Sequence, residues 1–324
     1  APLAAIAIER TGDARFLPYL VSQLGARDGR AVVRDALVSM GDAALGPLQE
    51  ALEDDATPER VRLEIPRTLA RFPTQPVVDL LSARLGAERS GAVRFKVLRA
   101  LGTLSAGSSA KKGERLKFDK ALFEQEVRKN LIEHFRLKGL VAALERETEG
   151  RSVSDTDVGG ALRSLLEDKI QQSLERVFRA LQIAHRNEDL LSVHRAVVRG
   201  DKRARGNALE FLDALPITSR ETRELLKLVA DDLDVVETLR RAQAAIEDDA
   251  AEAERLRVPA SHDDAVRGLL TETDELIAAL TAYHALDLGS ISLARDALGA
   301  LDARPALGRL GAAPTRSRRE SANG

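Results

Sequence analysis

Two short phrases, GDARFLP at residues 12–18 and GDAALGP at residues 41–47, constrain this chain more than any other feature. Gly12 and Gly41 stand 29 residues apart, and so do Pro18 and Pro47. A phrase repeated at such a spacing marks stacked supersecondary units. Asp13 and Asp42 are placed to cap helices, their carboxylates accepting free N–H groups of a first turn. The prolines follow about one turn later, where each would remove a hydrogen bond and bend its helix. A third unit begins at Pro73, with Thr74 in place of the aspartate.

The second halves of the units recur as well. VVRDALVSMG (32–41), VRLEIPRTLA (61–70) and VRFKVLRALG (93–102) align without gaps. Leu37, Pro66 and Leu98 share one column, and Met40, Leu69 and Leu101 another, which is the stripe of a helix. Pro66 falls at a helix-interior position and should kink the middle unit. Each unit is therefore a pair of helices too small to bury its own apolar faces, and neighbours must stack to share a core.

These units resemble the HEAT family, in particular the short HEAT-like repeats also found in phycobilisome lyases. The Gly-Asp starts, the Val61-Arg62 and Val93-Arg94 pairs and the closing Leu101-Gly102 carry the resemblance, over residues 1–106. It implies an all-α fold, a HEAT-like α-solenoid of stacked helix pairs with an irregular helical middle section. Arg62 and Arg94 hold one repeat position, where the first unit has Val33, and are expected to bond to loops between repeats. APLAAIAIERTG reads as the end of such a unit's second helix, so the natural protein is expected to extend further toward the N-terminus.

The rest of the chain divides into a linker at 107–118, a long-helix middle section at 119–199, further HEAT-like helices at 200–302 and a disordered tail at 303–324. The linker reading rests on the small, polar run AGSSAKKGE at 106–114. Helices are expected at about 118–149, with Gly139 marking a break, and at 157–184, 188–199, 201–215, 219–231 and 232–250. Ser154 with Asp157, and Thr218 with Glu221, have capping-box spacing. Residues 269–289 read as the end of one helix, a turn, a second helix and a closing glycine. LKFDKALFEQEVRKNL (116–131), LLEDKIQQSLERVFRALQI (165–183) and GDKRARGNALEFLDAL (200–215) are similar, in that order, to the soluble HEAT-repeat region of bacterial transporter-like proteins. There, an ATP/ADP-translocase-type membrane domain precedes the repeats. That resemblance, over 110–290, implies tethering to a membrane domain ahead of residue 1.

Composition narrows the chemistry. Aromatic residues are 3 % of the 324, with no Trp, so bases would find little to stack on. A net charge of −2 argues against a general nucleic-acid binder. There is no cysteine, which removes disulfides and thiolate metal sites and is compatible with a reducing cytosol. No uncharged apolar run is long enough to span a bilayer. None of the five histidines, His134, His185, His194, His262 and His284, precedes a glutamate. There is no GxSxG turn, no phosphate loop and no GxGxxG. The expectation is a non-catalytic chain without cofactor or metal.

Charge is unevenly placed. Residues 111–138 carry nine basic and five acidic groups, and residues 231–254 carry nine acidic and two basic. Lys111, Lys112, Arg115 and Lys117, with Lys202, Arg203 and Arg205, form the candidate interaction surface. The reading is a cytoplasmic protein–protein scaffold that binds no specific nucleic acid. The alternatives are the cytosolic arm of a nucleotide-transporter-like membrane protein and a phycobilin-lyase-like HEAT protein.

Overall fold

The computed structural model describes residues 2–110, 115–146, 156–246 and 249–304, with side chains from 108 to 110 left aside. The repeated phrase becomes intelligible at its glycines. Gly12 follows α1 (Pro2–Thr11) and Gly41 follows α3 (Arg30–Ser39), with φ of 65° and 61°. A left-handed residue ends a helix cleanly, and only glycine adopts it at little cost. A 3₁₀ turn comes next in each case, Ala14–Phe16 and Gly41–Ala44, and then α2 (Leu17–Gln23) and α4 (Leu45–Glu53).

Three sequence expectations change here. Pro18 and Pro47 do not bend a helix. They lie in the first turns of α2 and α4, where a backbone N–H has no partner to lose. Asp13 does cap its turn, accepting from the Arg15 N–H at 3.0 Å. Asp42 does not, because the second turn starts one residue earlier and places Asp42 inside it.

Pro66 splits its helix into α5 (Glu59–Arg62) and α6 (Ile65–Leu69), with Pro66 in the first turn of α6. The third unit follows as α7 (Gln75–Ala87) and α8 (Gly91–Ala110). Gly102 does not close the last unit, and the expected linker does not begin at 106 or 107. Leu101 and Leu104 are both buried, and their stripe carries α8 through the glycine to Ala110. Lys111 and Lys112 lie outside the described residues, and Arg115–Asp119 is extended chain.

The remaining helices are α9 (Lys120–Leu144), α10 (Asp157–Ala184), α11 (Leu190–Arg199), α12 (Lys202–Ala214), α13 (Arg220–Ala230) and α14 (Val235–Ala245). Then come α15 (Ala250–Arg255), α16 (His262–Leu270), α17 (Glu275–Asp287) and α18 (Ile291–Asp302). The fold is all-α, with no strand among the described residues. Gly139 does not break α9. Its missing side chain admits Leu239 of α14, whose nearest methyl would stand 3.3 Å from an added Cβ. The helix expected at 232–250 is shorter: α14, capped by Asp234, ends at Ala245, and Asp249 caps a separate helix, α15, that begins at Ala250. Ser154 lies outside the described residues, and Thr156 caps α10 through the Gly159 N–H. The tail from 305 also lies outside them.

The chain forms two units, residues 1–129 with 175–219, and 130–174 with 220–324. This division crosses the expected sections, because α9 and α10 each contribute one end to each unit. In the first unit α1 packs beside α3, α3 beside α6 and α6 beside α8. Helices α2, α4 and α7 rest on α3, α6 and α8 respectively, and α2 also touches α4. The second unit has its own core, in which Leu140 and Leu144 of α9 and Leu162 and Leu166 of α10 meet Val266, Ala282 and Leu293.

Candidate functional site

In the first unit the row α3, α6, α8 carries arginines at helical spacing, and their carboxylate partners decide what each one does. Arg34 on α3 is buried, and its guanidinium donates to Glu64 at 2.8 Å and to the Thr68 hydroxyl at 3.3 Å. Arg30 donates to the other oxygen of Glu64 at 2.7 Å. One carboxylate thus joins α3 to the α5–α6 break.

Arg62 and Arg94 are also structural in placement. Arg62 donates to Asp55 at 3.0 Å and lies 3.5 Å from Glu88, both in loops. Arg84 donates to the same buried Glu88 at 2.6 Å. Arg94 reaches a helix and not a loop, donating to Glu126 of α9 at 2.5 Å.

Another set of cations is gathered differently. Arg67 and Arg71 lie at i and i+4 along and just beyond α6, and Lys96 and Arg99 at i and i+3 on α8. All four line one groove of about 360 Å³, over a floor that includes Leu63, Ala70 and Ala100. Thr103, one turn beyond Arg99, lines its end. Glu64 also borders the groove, but both its oxygens are held by Arg30 and Arg34. Arg71 pairs with the exposed Asp35 at 3.3 Å. Among the described residues, Arg67, Lys96 and Arg99 have no carboxylate within ion-pair distance.

The local field reflects this imbalance. Burial holds the Arg34 guanidinium below its ordinary pKa, and the nearby positive charge of Arg67 is the next cause. Phe95 on α8 lies under two guanidinium groups, Arg99 at 5.9 Å and Arg179 at 5.5 Å from its ring centre.

Sequence reasoning missed the groove, and the one signal that could have found it lay in the aligned columns. Arg67 and Arg99 occupy the same repeat position, five residues after Arg62 and Arg94. The expected interaction surface lies elsewhere. Arg115 and Lys117 are exposed between α8 and α9, where the Lys117 backbone exchanges hydrogen bonds with the Gln75 side chain. Lys202 and Arg203 are exposed in the first turn of α12, and Arg205 is half-buried. None of these five lines the groove.

The histidines serve packing. His134 is buried, its Nδ1 3.2 Å from the Ile170 carbonyl, and burial lowers its pKa to about 4. His194 stacks on Phe178 with ring centres 4.9 Å apart. His262 and His284 are buried with their Nε2 atoms 3.2 Å apart. One Nε2 must donate to the other, so at least one ring is neutral. Asp263 stands 3.7 Å from Nδ1 of His262. Among the described residues no three His, Asp or Glu side chains are grouped to hold a metal ion. No helix among them is long and apolar enough to cross a membrane.

Comparison with protein-family models, with curated proteins and with solved structures finds no match to this chain.

Proposed function

We propose that the chain is a non-catalytic protein-binding scaffold, built from HEAT-like helix pairs, whose α6–α8 groove holds a segment of a partner. The observation that carries the reading is the groove itself. It combines an apolar floor with three cations, Arg67, Lys96 and Arg99, that have no carboxylate within ion-pair distance among the described residues. Cations left in this way are available to a ligand, whereas Arg34, Arg62 and Arg94 are committed to holding helices together.

The packing order supports the HEAT-like part of the reading. Helices α2, α4 and α7 each rest on one of α3, α6 and α8, and α3, α6 and α8 follow one another side by side. Repeats stacked in this manner share one continuous core and leave the outer ridges and grooves free to vary. The recurrence of arginine at Arg67 and Arg99 is such a ridge.

The test is selection of a displayed random-peptide library on the immobilised full chain, repeated on Thr103→Trp. Thr103 is exposed at the groove's end, so the indole blocks the groove without entering the core. The scaffold reading requires an enriched peptide family whose binding is lost in Thr103→Trp, whatever its chemistry. No enrichment, or enrichment indifferent to Thr103→Trp, contradicts it.

A further inference from the structure

We infer that the partner segment taken by the α6–α8 groove is acidic, with carboxylates placed around an apolar side chain; this rests on the scaffold reading above. The charges come first. Arg67, Arg71, Lys96 and Arg99 line the groove; Arg71 pairs with Asp35, and Glu64 on the groove's border is already held by Arg30 and Arg34. Arg67, Lys96 and Arg99 are left over, a surplus of three positive charges in one short depression of a chain whose net charge is −2. Surface charge is usually interspersed, and three like charges in one depression repel each other at a cost that an anionic ligand removes.

Burial deepens the imbalance. The buried Arg34, together with Arg30, holds both oxygens of Glu64, so that carboxylate is not left over to offset Arg67. The low-lying apolar patch of Leu63, Ala70 and Ala100 selects a ligand that offers a side chain to cover it. A free inorganic anion would leave that patch wet.

Size and geometry favour a peptide over a nucleic acid. About 360 Å³ accommodates a few side chains and not a helical duplex. Nucleic acid would need cations spread along a backbone track and aromatic faces for bases. Here the cations are confined to two facing rows, and Phe95 is already covered by Arg99 and Arg179. Two rows of cations with a floor between them match a segment bearing Glu or Asp on both flanks of a Leu-sized residue.

The experiment uses the full chain and a dye-labelled peptide of repeated Glu-Glu-Leu, followed by fluorescence anisotropy. A Gln-Gln-Leu peptide and a single-stranded oligonucleotide of equal charge are titrated in parallel. Arg67 and Arg99 are exposed, so Arg67→Glu with Arg99→Glu reverses the field without opening the core. Arg67→Gln with Arg99→Gln provides a milder second variant, and circular dichroism checks that both retain their helices. The inference expects saturable binding of the acidic peptide, weakened at least about tenfold by either double variant and by added salt. It expects the Gln-Gln-Leu peptide to bind weakly.

Acidic-peptide binding that the double variants leave unchanged overturns the inference, because the site is then elsewhere. Equal binding of the Gln-Gln-Leu peptide, lost in Thr103→Trp, also overturns it while leaving the scaffold reading standing. Tighter binding of the oligonucleotide overturns it in favour of a nucleic-acid ligand. Failure of both peptides overturns it too, and the library selection then decides separately whether the scaffold reading falls with it.

Discussion

At Gly41 the backbone is left-handed, with φ of 61°, and nothing lies within 4 Å of where a Cβ would stand. Gly102 is inside α8 and is equally open. Substitution should therefore separate them. Gly41→Ala forces an L-residue into the αL region and should cost about 1–2 kcal/mol. Gly102→Ala removes a poor helix former and should gain up to about 1 kcal/mol. Urea denaturation of the two variants checks the pair; a stability change of the same sign and size in both would remove the distinction. The buried histidines give a second prediction at this scale. His134 and His284 are held neutral, each lowered to about 4, and His262 is lowered as well, burial being the first cause for all three. Unfolded histidines bind protons near their ordinary value, so the chain's stability is full above about pH 6.5 and falls as pH drops toward 4. Asp263 and Asp287 moderate the effect on the histidine pair. Urea midpoints measured between pH 7 and pH 5 should fall, and replacing His262 and His284 together by Gln should flatten the fall. A midpoint that does not change over that range would show that the histidines are not held neutral.

Among the elements, local signals were legible and the depth of each element was not. The aspartate before Ala14 caps its turn, Pro66 divides a helix, and the apolar stripe places α10 where periodicity put it, at 157–184. Those are decisions made within one or two turns of chain. Gly102 and Gly139 read as stops, yet helix continues through both, and α8 runs on past Leu104 to Ala110. Burial of Leu101, Leu104 and Leu140 against other helices outweighs the local preference, and sequence spacing does not show that burial. The same holds for Arg136, half-buried on α9. It donates to Glu133 one turn away and to Glu272 in the turn after α16, 136 residues on. Neutralising it as Arg136→Met strips a partly buried Glu272 of this partner and should cost about 2 kcal/mol, after allowance for solvent at the pair. Loss of less than a few tenths of a kcal/mol in urea would show that other contacts hold that turn.

For the molecule as a whole, repeats read from the chain describe neighbours in sequence, whereas the two units are discontinuous. Residues 175–219 join the first unit and 130–174 the second, because α9 and α10, 25 and 28 residues long, each serve both. No periodicity announces which end of a long helix belongs to which core. The candidate site shows the same limit. The column of Arg67 and Arg99 lay in the alignment beside that of Arg62 and Arg94, but nothing in the sequence says which column meets a carboxylate. Structure supplies Asp55, Glu88 and Glu126 to one column and leaves the other facing a groove. The uneven charge along the chain, basic at 111–138, pointed instead to Arg115 and Lys117, which are exposed and do not line the groove.

Hydrogen–deuterium exchange of the full chain, with and without a saturating library-selected peptide, tests the groove as a partner site most directly. Slowed exchange should be confined to the two segments that build it, 63–71 and 96–103. Protection at the α8–α9 connection or the start of α12 instead, or no protection anywhere with the peptide bound, would place partner binding outside the groove.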